Sequence, residues 1–62
     1  MEEINYVICH WRSNGKYKIR VENIRINDIP YSCACNTKEE FNATLKSLQK
    51  EYTPCKVVEL VL

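Results

Sequence analysis

This 62-residue chain contains four cysteines and one histidine, residue types that can hold a metal or act as nucleophile and base. The thiols are at Cys9, Cys33, Cys35 and Cys55. Structural zinc usually takes two close ligand pairs of the C-x2-C kind, and the cysteines here provide one C-x-C and two isolated residues. Cys9 and His10 are adjacent, so on a strand they point to opposite faces and cannot pair for catalysis. We therefore expect reduced thiols and no metal site; zinc binding and two disulfides are the alternatives.

Length and glycine content argue against most enzymes. A chain of about 60 residues buries only about 60 % of its unfolded surface and therefore builds one thin core. A phosphate-binding loop needs several glycines at fixed spacing, whereas Gly15 is the only glycine present. We expect a single domain over residues 1–62, no catalytic residues and no cofactor.

The first eleven residues, MEEINYVICHW, bear on the compartment. They contain two acidic residues and no basic segment, and Asn5 and His10 interrupt the apolar run. A signal peptide begins with a basic segment, and both signal peptides and membrane spans need an uninterrupted apolar run. We expect a cytoplasmic protein with no membrane partner.

Residues 4–12 are rich in β-branched and aromatic types and predict a strand, and alternating apolar and polar residues predict a second strand over 17–22. Asn14-Gly15 lies between them, and this dipeptide is the strongest short-range hairpin signal. A third strand is predicted over 24–29, with Ile24 and Ile26 toward the core. It should end at Pro30, because proline has no N–H to donate to a neighbouring strand.

A capping box, Thr37-Lys38-Glu39-Glu40, predicts the start of a helix that ends before Pro54. Its apolar stripe comprises Phe41, Leu45, Leu48 and Tyr52. Residues 56–62 predict a final strand. The expected fold is a two-layer α+β domain, with one amphipathic helix on an antiparallel or mixed sheet of three to four strands.

Basic residues are concentrated in and just after the predicted hairpin. Alternation places the lysines and arginine of the second strand on one face, where they can neutralise phosphates or meet an acidic protein. The solvated face of an ordinary hairpin is the simpler interpretation. The candidate residues for binding nucleic acid or an acidic partner are Arg12, Lys16, Lys18, Arg20 and Arg25.

The first and last predicted strands are apolar on both faces. One helix covers one face of a sheet, so the second apolar face needs another cover. We expect a protein interface formed by Val7, Trp11, Val57 and Val61. Either a second copy of the chain, forming a homodimer, or a different protein would cover it.

The middle of the chain resembles two families. Asp28-Ile29-Pro30, Cys33 and the helix start Thr37-Lys38-Glu39-Glu40-Phe41 resemble the HicB-type antitoxin pattern. That resemblance implies a domain of three strands, a helix and a strand, related to a degraded RNase H fold. The segments NGKYKIRV and NTKEEF are similar to the arm-binding domain of phage integrases. This second resemblance implies three strands plus a helix, with Lys18, Arg20 and Arg25 touching DNA.

The sequence therefore favours a non-catalytic protein that binds and modulates another macromolecule. A protein-binding inhibitor or antitoxin-like module of phage or mobile-element origin is the first hypothesis. A small DNA-binding module that uses the basic face of the hairpin is the second.

Overall fold

The computed structural model describes residues 3–61, which form a four-stranded sheet with one helix packed on one face. The elements are β1 (Tyr6–Ser13), β2 (Lys16–Asn23), β3 (Asp28–Cys35), α1 (Lys38–Glu51) and β4 (Cys55–Glu59). The first three strands are antiparallel, β4 lies parallel to β1, and the strand order is β3-β2-β1-β4. The expected two-layer α+β fold is confirmed, with a mixed sheet of four strands.

The hairpin between β1 and β2 has the predicted two-residue turn. Asn14 and Gly15 have φ angles of 50° and 75°, and Ser13 pairs with Lys16 on either side of them. Positive φ at both central residues matches the right-handed twist of the flanking strands. The turn therefore sets the register of the whole β1–β2 ladder.

The prediction of a third strand over 24–29 is wrong, because β3 begins only at Asp28. The Asn23 side-chain oxygen accepts hydrogen bonds from the backbone N–H groups of Arg25 (3.0 Å) and Ile26 (3.4 Å). Asn27 has a left-handed φ of 55°. A side chain that satisfies the backbone in this way stabilises a turn in competition with a strand. Ile24 and Ile26, expected in the core, are 52 % and 68 % exposed.

Pro30 lies inside β3 and does not end it. β3 is an edge strand that pairs only with β2, so a residue without an N–H is tolerated on its outer side. The second half of the strand brings Cys33 and Cys35 against the core.

Helix α1 begins and packs as predicted. The Thr37 hydroxyl accepts from the Glu40 N–H at 3.2 Å, and the Glu40 carboxylate accepts from the Asn36 N–H at 3.0 Å. Leu48 is buried, and the other members of the stripe (Phe41, Leu45 and Tyr52) pack around the core. The buried core consists of Ile8, Ile19, Val21, Cys35 and Leu48.

The last strand is shorter than predicted and ends at Glu59, before Leu60 and Val61; Leu62 lies outside the described residues. Ile8 pairs with Val57, which places Val57 beside the core. Between residues 3 and 61, no helix has the length and apolar character needed to cross a membrane.

Candidate functional site

The face of the sheet opposite α1, here called the open face, has no cover within residues 3–61, because α1 is the only element outside the sheet. Directly paired residues share a face, so the strand register defines its members. They are Val7, Cys9, Trp11 and Ser13 of β1, Lys16, Lys18, Arg20 and Glu22 of β2, Ser32 and Ala34 of β3, and Lys56 and Val58 of β4.

Apolar and charged residues of the open face occupy different strands. Val7, Trp11 and Val58 form a partly exposed apolar area on β1 and β4. Trp11 also borders a shallow depression over β2 and β3, where Ser32 and Ala34 are small. The face therefore offers an apolar strip with one large aromatic residue beside a recess.

The charges of the open face are mostly positive. Arg20 forms an ion pair with Glu22 at 2.8 Å, and its guanidinium carbon lies 5.4 Å from the centre of the Trp11 ring. Within residues 3–61, Lys18 and Lys56 have no carboxylate partner within ion-pair distance. Glu22 is the only acidic residue among the paired strand residues that define this face, so an approaching acidic surface meets unpaired lysines around the apolar strip.

The five basic residues singled out from the sequence do not form one patch. Lys16, Lys18 and Arg20 share the open face as expected. Arg12 pairs with Tyr17 and therefore lies on the helix side, with its guanidinium carbon 4.1 Å from the centre of the Tyr17 ring. Arg25 lies in the turn before β3, because the third strand begins later than predicted. It forms an ion pair with Glu3 at 2.7 Å.

The four apolar interface candidates are also divided between surfaces. Val7 and Trp11 lie on the open face, but Val57 lies on the helix side, which corrects its grouping with them. Val58 occupies the position on the open face expected for Val57. Alternation along β4 shows which of its residues share a face, but it does not show which of the two faces α1 covers. The pairing of β4 with β1 decides which face that is. Val61 lies beyond β4 and is 92 % exposed.

A cleft of about 450 Å³, here called the α1 cleft, opens on the helix side between the start of α1 and the end of β4. Sequence reasoning missed it because its lining comes from four separate parts of the chain. The lining residues are His10, Trp11, Arg12, Tyr17, Lys38, Phe41, Glu59, Leu60 and Val61.

Aromatic contacts hold the inner wall of the α1 cleft together. Phe41 stacks on Tyr17 with ring centres 5.1 Å apart, and its ring meets His10 edge-on at 5.3 Å. Arg12 is stacked on the same tyrosine. These contacts fix the aromatic side chains in one arrangement and place a cation beside them.

The cysteines are all free thiols. Burial, with Glu22 nearby, raises the pKa of the Cys9 thiol, and burial likewise raises the pKa of Cys35. In the described part of the chain, no three His, Cys, Asp or Glu side chains are grouped closely enough to hold a metal ion.

Comparison of the chain with protein-family models, with curated proteins and with solved structures finds no match.

Proposed function

We propose that this chain is a small non-catalytic protein of the cytoplasm that docks its open face on a partner protein and inhibits it. This is the mode of action of an antitoxin-like module, of phage or mobile-element origin. The observation that supports it is the uncovered sheet face, on which Val7, Trp11 and Val58 lie together. Apolar area at the centre, with polar residues around it, is the usual composition of a protein interface.

Trp11 is the expected anchor of this interface. Tryptophan and arginine are over-represented among the few residues that dominate binding energy. Arg20 lies over the Trp11 ring, and the depression bordered by Ser32 and Ala34 can receive a side chain from the partner. Because Lys18 and Lys56 flank the apolar strip without ion pairs in residues 3–61, an acidic partner surface is electrostatically complementary.

The element order supports the antitoxin-like form of the proposal. Three strands, a helix and a strand is the order that the HicB-type resemblance implies. The arm-binding domain of integrases implies three strands and a helix, whereas β4 adds a further strand here.

A homodimer joined through β4 is part of the proposal. β4 is an edge strand, and in its ladder the Leu60 N–H donates to the His10 carbonyl at 2.9 Å. Alternation then directs the backbone groups of Val57 and Glu59 away from β1. The opposite edge, β3, contains Pro30, which discourages pairing there. Antiparallel pairing of two β4 strands would join two open faces into one surface.

Two variants on the open face test partner binding. Trp11→Ala and Val58→Asp should abolish capture of the partner protein from extracts of the source cells, while the helix-surface variant Gln49→Ala should capture it normally. Equal capture by all three proteins would refute the role of the open face. Circular dichroism should show the same fold for each protein.

A separate variant tests the dimer. Glu59→Pro removes an outward-facing N–H of β4, whereas Glu59→Ala keeps it. Sedimentation at micromolar concentration should give a dimer for the wild type and Glu59→Ala and a monomer for Glu59→Pro. A monomeric wild-type protein would contradict the dimer.

Duplex DNA is the second candidate partner, because Lys16, Lys18 and Arg20 follow one another along one face of β2. This candidate requires an affinity that falls steeply with salt, because binding releases condensed counterions. Lys18→Ala should then weaken binding to all duplex sequences about equally. No binding at about 50 mM salt would exclude this candidate, since non-specific contacts are strongest at low salt.

A further inference from the structure

We propose that the α1 cleft binds a small planar aromatic anion, a ring that carries a carboxylate or phosphate group. Arg12 and Lys38 would hold the anionic group. The cleft opens on the helix side of the sheet, and Trp11 lines both the cleft and the open face, so this binding site goes beyond the docking function assigned to the open face.

The guanidinium group of Arg12 is positioned to bind an anion. Its guanidinium group stacks on the Tyr17 ring at 4.1 Å, which occupies one face of the group and leaves its N–H edges free. Within residues 3–61, no side chain forms an ion pair with Arg12 or accepts a hydrogen bond from it. Guanidinium N–H groups match carboxylate and phosphate oxygens in pairs, and stacking reduces the entropy lost when they bind.

The remainder of the cleft suits an aromatic ring. Phe41, His10 and Tyr17 contribute aromatic surface to the lining, and Leu60 and Val61 contribute aliphatic surface. The volume of about 450 Å³ lies within the range of about 300–1,000 Å³ that is typical of small-molecule sites. A planar ring bound against these side chains would bury apolar area while its charged group stays at the rim.

The charges of the lining orient the ligand. Lys38 is the second cation, and Glu59 is the only acidic residue among residues 3–61 that lines the cleft. Glu59 is the register partner of His10, two residues before Arg12 on β1, so the acid and Arg12 lie at different positions along the cleft. An anionic group would therefore bind toward Arg12, and a hydroxyl at the opposite end of the ring could donate to Glu59.

Amide chemical-shift perturbation by NMR tests the site with defined probes. We expect 4-hydroxyphenylacetate and phenyl phosphate to shift the amides of His10, Tyr17 and Phe41 in a saturable manner. Cyclohexylacetate tests the need for a planar ring, inorganic phosphate tests the charge alone, and 2-phenylethanol tests the ring alone. The two aromatic anions together distinguish a carboxylate ligand from a phosphate ligand.

Arg12→Gln should weaken binding of the preferred probe about tenfold, the usual effect of losing a charge-assisted hydrogen bond. Lys16→Gln, on the same hairpin but outside the cleft, should bind like the wild type. Unchanged spectral dispersion in both variants would show that the fold is retained. The proposal is overturned if Arg12→Gln binds as tightly as the wild type, if inorganic phosphate or phenylethanol binds as tightly as the aromatic anions, or if neither aromatic anion gives saturable shifts up to roughly 10 mM.

Discussion

Arg20 and Glu22 form an ion pair at 2.8 Å, two residues apart on the same face of β2. Glu22 also accepts a hydrogen bond from the Cys9 thiol of the adjacent strand at 3.5 Å. One carboxylate on the open face thus reduces the free charge of an arginine and stabilises the protonated form of a thiol. Removal of this carboxylate leaves the charge of Arg20 unpaired and lowers the pKa of the Cys9 thiol. Its effect on the stability of the fold is small.

Glu22→Gln should lower the pKa of Cys9 toward its ordinary value. Burial is the largest cause of the raised pKa and remains, but the hydrogen bond to the carboxylate and its charge are lost. The variant should therefore be alkylated faster by iodoacetamide at mildly alkaline pH, as followed by mass spectrometry of the Cys9 peptide. Because the side chains of Arg20 and Glu22 are about one-third exposed, loss of their ion pair should change the free energy of unfolding by less than about 1 kcal/mol. Glu39→Gln on α1 is the control and should leave the rate unchanged.

Stability should decrease above about pH 9, because the pKa values of Cys9 and Cys35 are raised by burial above the ordinary thiol value of 9.0. In that range the unfolded chain loses these protons first, so it binds fewer protons than the folded chain and is favoured as pH rises. Below about pH 9 the folded and the unfolded chain both hold the Cys9 and Cys35 protons, so the contribution of these thiols to stability is fully present. Urea unfolding at several pH values should show the decrease, and Cys9→Ala should reduce its slope. An identical slope in the variant would contradict the prediction.

Leu48→Ala should lower the free energy of unfolding by about 2–5 kcal/mol, because it creates a cavity between α1 and the sheet. A loss of that size can unfold a small domain, so Ile19→Val provides a milder test, with an expected loss of about 0.5–1.5 kcal/mol. Gln49→Ala, exposed on α1, should have almost no effect. Urea denaturation measures all three, and equal midpoints for Gln49→Ala and Ile19→Val would show that the core is incorrectly placed.

Thr37→Ala should destabilise the domain by about 1 kcal/mol, because the Glu40 N–H loses its capping acceptor. Thr37→Ser keeps a hydroxyl at the same position and should retain most of the stability. The comparison is made by thermal unfolding followed at the helical circular-dichroism signal. Equal losses in both variants would argue against the capping bond.

Asn27→Ala should destabilise the turn before β3 by about 1 kcal/mol, because alanine lacks the short polar side chain that lets asparagine adopt the left-handed region. Asn27→Gly should be at least as stable as the wild type at this backbone angle. Urea unfolding distinguishes the two variants, and a more stable Asn27→Ala protein would refute the assigned turn.

Short sequence patterns predict the hairpin and the start of α1, because both are determined by residues close together in the chain. Asn14-Gly15 and the alternation around it predicted the hairpin, and Thr37 with Glu40 predicted the start of α1. The third strand begins at Asp28, later than the alternation of Ile24 and Ile26 predicts, because the turn at Asn23 extends through Asn27. The two asparagines satisfy and bend the backbone there, and this outweighs the tendency of isoleucine to form strands.

The binding surfaces depend on contacts that local patterns do not contain. Pairing of β4 with β1 decides that Val58, and not Val57, shares a face with Trp11. The α1 cleft likewise requires Arg12, Phe41 and Glu59 to meet from three elements that are far apart in the chain. Alternation correctly separated Lys18 and Arg20 from the core, because this separation needs only the period of one strand.

The position of β4 beside β1 also has a consequence for the order of folding. Tyr6 pairs with Cys55, so β4 can join the sheet only by closing nearly the whole chain into a loop. The β1–β2–β3 meander closes much shorter loops and therefore loses less entropy as it forms. The last strand should be the slowest element to assemble and the first to detach, which leaves β1 as a temporary free edge during synthesis.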